Sequence, residues 1–189
     1  MSYQARRHHK PRQLDQRQAA REILEFIELL TRGISKNPGA VSVHLAEGRG
    51  TAHYEIRGPR DAIRRIRELE DEIFLLAKVA ARGRGRTRVS LHLYTSKMQE
   101  VTQLPHVELE EFVSRLAKTL VDSPDEVVVV PANGDGFSHY DIQCEHNDVG
   151  TLLGRHASHV NTIRNIVDAA GAVRGVRATL QVLERDGDI

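Results

Sequence analysis

Residues 154–159 combine a glycine, an arginine and two histidines at a point where a helical pattern is interrupted. Glycine lets an anion approach the main chain closely, and the start of the next helix presents amide groups and the positive end of its dipole. Arg155 can bind a phosphate group through two parallel hydrogen bonds, and His156 becomes a stronger donor once it is protonated. The segment is therefore a candidate phosphate-binding loop.

The ten histidines and the single cysteine form no recognisable metal site. His156 and His159 are spaced like ligands on one helix face, yet no carboxylate or cysteine completes the set. Cys144 alone cannot form an intramolecular disulfide or a cysteine-based zinc site. The sequence also lacks a P-loop, a nucleophile elbow and a dinucleotide-binding fingerprint. We therefore expect neither an enzyme nor a bound metal or cofactor.

Charge is distributed unevenly along the 189 residues, although the net charge is only +1. Residues 1–106 contain 20 Lys and Arg against 12 Asp and Glu, whereas residues 107–189 contain 7 against 14. A basic half favours an anionic partner, whereas an acidic half repels phosphate on average.

Two segments carry much of the basic charge. Residues 1–21 are expected to be a flexible basic arm. The second segment is a loop in which arginine alternates with small residues; its arginines are Arg82, Arg84, Arg86 and Arg88. Such a loop can bind an RNA backbone through counterion release. For both segments a solvated surface without a binding role is an equally good interpretation.

The sequence repeats itself at an offset of 86 residues. Between 22–56 and 108–142, 13 of 35 positions are identical without a gap, whereas chance pairing gives roughly two or three. The repeat indicates two copies of one structure. The predicted division is a domain at 22–98, a linker at 99–106, a domain at 107–185 and a tail at 186–189.

The hydrophobic pattern predicts the elements of each copy. Residues 22–35 place apolar side chains at steps of three and four, which predicts an amphipathic helix. The β-branched run at 127–130 predicts a strand, and the following Gly-Asp-Gly predicts a hairpin turn. Residues 147–170 predict two helices interrupted at Gly154, before a last alternating strand. The predicted order is α-β-β-α-α-β, twice, which is an α+β fold.

This order, with a glycine between the second and third helices, resembles the KH domain in its bacterial (type II) arrangement. Residues 107–184 are similar to the small single-KH proteins of the KhpA-like family. The matching stretches are LEEFVSRLAKTLVDSPDEVVV at 109–129, DVGTLLG at 148–154 and IR at 163–164. The resemblance implies two tandem KH-like domains, each a three-stranded sheet packed on helices, of which the N-terminal one is degenerate.

In KH domains a Gly-x-x-Gly loop binds the backbone of about four nucleotides. The resemblance implies that role for Gly154, Arg155, His156 and Ala157, although Ala157 replaces the second glycine. We expect the alanine to suit the first turn of a helix and to weaken, not abolish, the phosphate contact. Further polar contacts are implied for Ser158, His159 and Arg164. An apolar groove for bases is implied for Val149, Leu152 and Leu153, and a core role is the better interpretation of Leu152 or Leu153 taken singly.

The corresponding segment of the first copy, 66–72, has no glycine and carries four carboxylates in five residues. Each carboxylate would repel a phosphate by ~1 kcal/mol near a surface. We therefore expect its two helices to be fused or joined without a cleft and assign no phosphate clamping to this copy.

The predicted function is binding of single-stranded RNA by a KH fold, as a post-transcriptional regulator or RNA chaperone. The alternative is a protein-interaction scaffold or dimerisation module whose KH-like folds no longer bind RNA, which the acidic C-terminal half and the missing glycine favour. The resemblance also implies that the protein pairs with a second copy of itself or with a larger KH-containing protein. The tandem fusion would replace such a dimer internally. Because no apolar run approaches ~20 residues and only one cysteine is present, we expect a cytoplasmic protein without a membrane partner.

Overall fold

A computed structural model describes residues 16–48, 51–82, 88–96 and 106–185. This part of the chain is an α+β structure whose two halves have the same order of elements. The first half contains α1 (Gln16–Gly33), β1 (Ser42–Gly48), β2 (Thr51–Gly58), α2 (Arg60–Glu68), α3 (Glu70–Arg82) and β3 (Arg88–Thr95). The second half contains α4 (Leu109–Leu120), β4 (Val128–Gly134), β5 (Phe137–Cys144), α5 (His146–Leu153), α6 (Ser158–Ala172) and β6 (Arg177–Glu184). Short 3-10 helices lie at Pro38–Ala40, Pro124–Glu126 and Arg155–Ala157.

Helix α1 begins at Gln16, earlier than the predicted domain start at residue 22. Ala19 and Ala20 are buried, and the Tyr54 hydroxyl donates a 3.0 Å hydrogen bond to the carbonyl of Ala20. Alanine has the highest helix propensity and extends the apolar stripe of the helix by one turn. Residues 16–21 therefore belong to this helix and not to the basic arm in which the sequence pattern placed them.

Each half contains one three-stranded sheet with the same topology. In the first sheet β1 and β2 are antiparallel and β2 and β3 are parallel. In the second sheet β4 and β5 are antiparallel and β5 and β6 are parallel. The parallel pairing requires a crossover, which the two intervening helices supply in each half. The predicted α+β fold with two sheets packed on helices is confirmed.

The two halves pack against each other through equivalent helices. Helix α1 contacts α4, and α3 contacts α6. Because α4 and α6 are the repeat counterparts of α1 and α3, the two halves contact each other in the manner of a twofold dimer. The buried side chains of both halves form one continuous hydrophobic cluster. Joining the two halves in one chain therefore buries the helix faces that would form the interface of a symmetric pair of separate domains.

Close packing and a polar contact hold this junction. A Cβ atom at Gly33, at the end of α1, would overlap the ring of Phe112 in α4. The Asn165 amide in α6 donates a 3.2 Å hydrogen bond to the Glu72 carboxylate in α3. The absence of a side chain at residue 33 is therefore what lets the aromatic ring sit against the end of α1.

Candidate anion-binding site

Gly154 interrupts the two C-terminal helices, as the sequence predicts. It ends α5 with φ +69° and ψ 173°, and its amide donates to the carbonyl of Gly150. This backbone conformation is essentially restricted to glycine. A Cβ atom here would also overlap the ring of His159. Both conformation and space therefore require glycine at this position.

The three residues after Gly154 form a 3-10 turn with unusual backbone angles. His156 has φ 54° and ψ 37°, and Ala157 has φ 59° and ψ 23°. The left-handed conformation costs roughly 1–2 kcal/mol for a non-glycine residue. We expected Ala157 to lie in the first turn of α6. It instead immediately precedes the helix, in a strained conformation. Strain of this kind in an exposed loop is typical of a binding site.

The turn brings several main-chain amides together at the start of α6. Ala157 donates to the carbonyl of Gly154 at 3.3 Å, and Ser158 donates to that of Arg155. We expect the amides of Arg155 and His156 to be the donors available to a ligand. Residue 155 has negative φ and is followed by two left-handed residues, and such a sequence curves successive amides into an anion-binding concavity. The dipole of α6 adds positive potential at the same point.

The side chains of this loop add cationic and polar groups. Arg155, His156 and Ser158 are exposed. Neither Arg155 nor His156 forms a salt bridge within the part of the chain that the structure describes. They are therefore positioned to pair with an external anion. The structure brings these predicted residues together on one surface.

His159 has a structural contact that the sequence did not reveal. Its Nδ1 lies 2.7 Å from the carbonyl oxygen of Thr151, near the end of α5. A carbonyl only accepts hydrogen bonds, so Nδ1 carries the proton and donates. The ring is half-buried against Gly154. His159 therefore ties the end of α5 to the start of α6 and holds the loop between them.

Arg164 forms hydrogen bonds within the second half. Its Nε donates to the carbonyl of Leu180 at 3.0 Å, and its Nη1 donates to the side chain of Asn161 at 3.1 Å. The guanidinium therefore connects α6 to β6 inside the domain. Its predicted ligand contact remains a prediction.

The apolar candidates divide according to burial. Leu152 is fully buried in the core, as the simpler interpretation held. Val149 is half-buried and packs against the core cluster. Leu153 is 37% exposed beside the loop. An apolar surface next to the amides is therefore formed mainly by Leu153, with Val149 at its margin.

Asp148 is a supporting residue that appeared in the sequence only as part of a motif. Its carboxylate is 1% exposed and accepts hydrogen bonds from the amides of Asp122 and Ser123 at 2.9 and 3.1 Å. Two charge-assisted bonds satisfy a buried carboxylate that would otherwise be costly. Asp148 thereby fixes α5 to the chain that follows α4. The only sequence signal for this supporting role was an acidic residue at the start of a short helix.

The equivalent region of the first half has a different geometry. Only Leu69 separates α2 from α3. The first turn of α3 consists of Glu70, Asp71 and Glu72, so carboxylates occupy the helix end where an anion would bind. The single residue between these helices agrees with the expectation that they are fused or joined without a cleft.

The arginine-rich loop can be placed only at its ends. Arg82 ends α3 and Arg88 begins β3, and both are exposed. Arg84 and Arg86 lie outside the described residues, as do the tail and most of the predicted linker.

The described ranges contain neither a metal-binding cluster nor a membrane-spanning helix. No group of three or more His, Cys, Asp or Glu side chains in them is arranged to hold a metal ion. No helix among these elements is long and apolar enough to cross a membrane.

The second half is similar to a known family of proteins. Residues 110–182 match the KH domain of KhpA and KhpB. The RNA-binding protein KhpA of Listeria monocytogenes is 29% identical over 76 residues, which is 40% of this chain and 100% of the relative. The proteins of the same name from Treponema pallidum and Chlamydia pneumoniae are 28% identical over 75 residues and 26% over 76 residues, again 40% of this chain, and 94% and 97% of those relatives. The similarity thus covers each relative almost completely and the C-terminal half of this chain.

Proposed function

We propose that this protein, whose C-terminal half is a KhpA-like KH domain, binds single-stranded RNA through residues 154–157. The observation that carries the proposal is the left-handed turn at His156 and Ala157. The turn lies at the start of α6, and the side chain of Arg155 beside it is exposed. The relatives that match this domain are named RNA-binding proteins.

The proposed mechanism is binding without catalysis. A phosphate of the RNA accepts hydrogen bonds from the loop amides and pairs with Arg155. The adjacent bases then lie against the apolar surface at Leu153 and Val149, because KH domains hold about four unpaired nucleotides. His159 keeps α5 and α6 in register so that the amides are already oriented before RNA arrives.

The proposal assigns RNA clamping to the second half alone, since α2 and α3 have no comparable loop and present carboxylates instead. We expect one clamped RNA segment per chain. Self-association through the helix faces is not part of the proposal, because those faces already pack against each other. A role in post-transcriptional regulation or as an RNA chaperone in the cytoplasm is the setting we propose.

The test is binding of a fluorescein-labelled, single-stranded 20-nucleotide RNA of mixed sequence, followed by anisotropy. Gly154→Asp places a carboxylate in the loop and is expected to abolish clamping. Because that change can also distort the domain, a second variant, Arg155→Ala with His156→Ala, removes only exposed groups. Gly134→Asp is the matched control, since it adds the same charge in a hairpin where space is available.

Raising KCl from ~50 to ~200 mM should weaken wild-type binding about 50-fold if four phosphates are neutralised. Both loop variants should bind at least tenfold more weakly than Gly134→Asp. Absence of wild-type binding at low salt would overturn the proposed function. If only replacement of Arg82, Arg84 and Arg86 by alanine removes binding, RNA binding stands but the loop assignment is wrong.

A further inference from the structure

We propose that helix α2 of the N-terminal half carries a second RNA-binding surface, which contacts the phosphate backbone beside the segment clamped by the C-terminal half. The surface, called here the arginine face, consists of Arg60, Arg64 and Arg67. The inference rests on the proposed function, because it extends the path of the same RNA. The matched family does not cover this half of the chain.

The spacing of the three arginines places them on one side of α2. Steps of four and three residues confine them to an arc of about 60° on a helix with 3.6 residues per turn. All three are exposed. The opposite side of the helix is buried through Ala62, Ile63 and Ile66, and α2 lies against β2 and β3. The arginine face is therefore fixed in orientation and open to solvent.

The cations of this face are not neutralised locally. No salt bridge to Arg60, Arg64 or Arg67 is formed among the residues that the structure describes. Asp61 and Glu68 lie beside the stripe on the same helix, and both are exposed. These two carboxylates border the arginine face on one side and form no salt bridge with its arginines. Three guanidinium groups in a row, none of them in a salt bridge with a described residue, are suited to contact successive phosphates.

The internal repeat shows that these arginines are not required by the fold. At the offset of 86 residues, the positions of Arg60, Arg64 and Arg67 are occupied by His146, Gly150 and Leu153. The counterpart helix α5 forms without them. One copy therefore has the loop but lacks the cationic helix, and the other has the cationic helix but lacks the loop. This division favours complementary contacts with one ligand.

An exposed aromatic ring near the end of β3, in the sheet against which α2 packs, favours RNA over an acidic protein as the ligand. Tyr94 is 47% exposed and is paired with Arg57 across β2 and β3. The Arg57 guanidinium lies 5.7 Å from the centre of the ring, and the chain then passes through Gly58 and Pro59 into Arg60. Aromatic rings beside cations are typical stacking surfaces for unpaired bases.

We expect one RNA strand to reach both binding surfaces. Helix α3 starts directly after α2, and its Glu72 contacts Asn165 in α6. Asn165 is about 10 Å along α6 from the clamping loop at a rise of about 1.5 Å per residue. The carboxylates at the start of α3 repel phosphate, so the RNA is expected to leave the arginine face before that point.

The experiment measures the salt dependence of binding of the same labelled 20-nucleotide RNA. The test variant is Arg60→Gln with Arg64→Gln and Arg67→Gln, since glutamine keeps helix propensity. The control is Arg21→Gln with Lys36→Gln and Lys118→Gln, which removes the same charge from other exposed positions. Circular dichroism and thermal unfolding verify that both remain folded.

We expect the test variant to lower the slope of log affinity against log salt by about 2, since each phosphate contact contributes about 0.7. Affinity near ~100 mM salt should fall tenfold or more, with little change in the control. The variant with lysine at all three positions should restore most of the slope. Equal slopes for test and control would overturn the inference and leave the proposed function intact. Loss of binding in Gly154→Asp, together with the expected decrease in slope in the test variant, supports both the proposed function and the inference.

Discussion

Arg174 of the second half donates a hydrogen bond from Nη1 to the carbonyl of Gly33 in the first half, at 2.9 Å. Its Nη2 donates to the carbonyl of Val107 at 2.8 Å, and its guanidinium lies 5.8 Å from the centre of the Phe112 ring. Gly33 is the last residue of α1, where unpaired carbonyls and the negative end of the helix dipole favour a cation. One side chain thus connects the end of α1 to the segment that enters the second half.

Replacement of Arg174 should weaken the junction between the halves. Arg174→Met keeps an unbranched apolar stem but removes the donors to Gly33 and Val107, so both carbonyls lose a charge-assisted bond. We expect a loss of about 2–4 kcal/mol in the free energy of unfolding, measured by urea denaturation. Arg177→Met, at an exposed position, is the control. Equal stability of the two variants would show that Arg174 does not hold the junction.

Gly33→Ala should destabilise the protein because a Cβ atom there would overlap the Phe112 ring. Overpacking of this kind costs about 1–3 kcal/mol. Gly150→Ala is a matched control, since that helical glycine has open space around it and alanine should stabilise it by roughly 0.5–1 kcal/mol. Thermal unfolding distinguishes the two, and a Gly33→Ala protein as stable as wild type would contradict the packing.

Ala157→Gly should relieve strain in the candidate binding loop. Glycine adopts φ 59° without the steric penalty of a methyl group, so we expect a gain of about 1 kcal/mol in stability. RNA affinity should be unchanged or higher, because the loop then has glycine at both ends. The control, Ala132→Gly in β4, should instead destabilise the protein by a comparable amount. A destabilised Ala157→Gly protein would contradict the left-handed conformation.

The junction should weaken at acidic pH through His106. Burial, and to a lesser extent the charge of Arg174, lower the pKa of His106 below its ordinary value of 6.5. A histidine with a lowered pKa in the folded state stabilises the fold above the unfolded pKa and loses that contribution as pH falls. Stability should therefore decrease below about pH 6.5 by a few tenths of a kcal/mol, because the side chain is partly exposed.

The measurement for His106 is urea denaturation between pH 7.5 and about pH 5. Subtracting the His106→Gln profile from that of the wild type should isolate a decline confined to this window. Superimposable profiles would show that His106 does not titrate differently on folding.

Much of the architecture follows from local patterns. The repeated apolar spacing predicted the helices, the β-branched runs predicted the strands, and the 86-residue offset predicted that the two halves share one order of elements. The start of α1 was not predicted, because Ala19 and Ala20 carry too little apolar surface to stand out until the helix packs. The conformation of Ala157 was also missed, since alanine favours right-handed helix in the absence of other constraints.

The sequence by itself determined the α-β-β-α-α-β order and the break at Gly154, because side-chain periodicity and the conformational range of glycine are local properties of the chain. The tertiary structure alone decided how the break is shaped and how the halves meet. His159 must lie against Gly154 to hold the left-handed turn, and Arg174 must reach the end of α1 from a residue far along the chain. Such contacts depend on the three-dimensional fit of distant side chains, which no short stretch of sequence specifies.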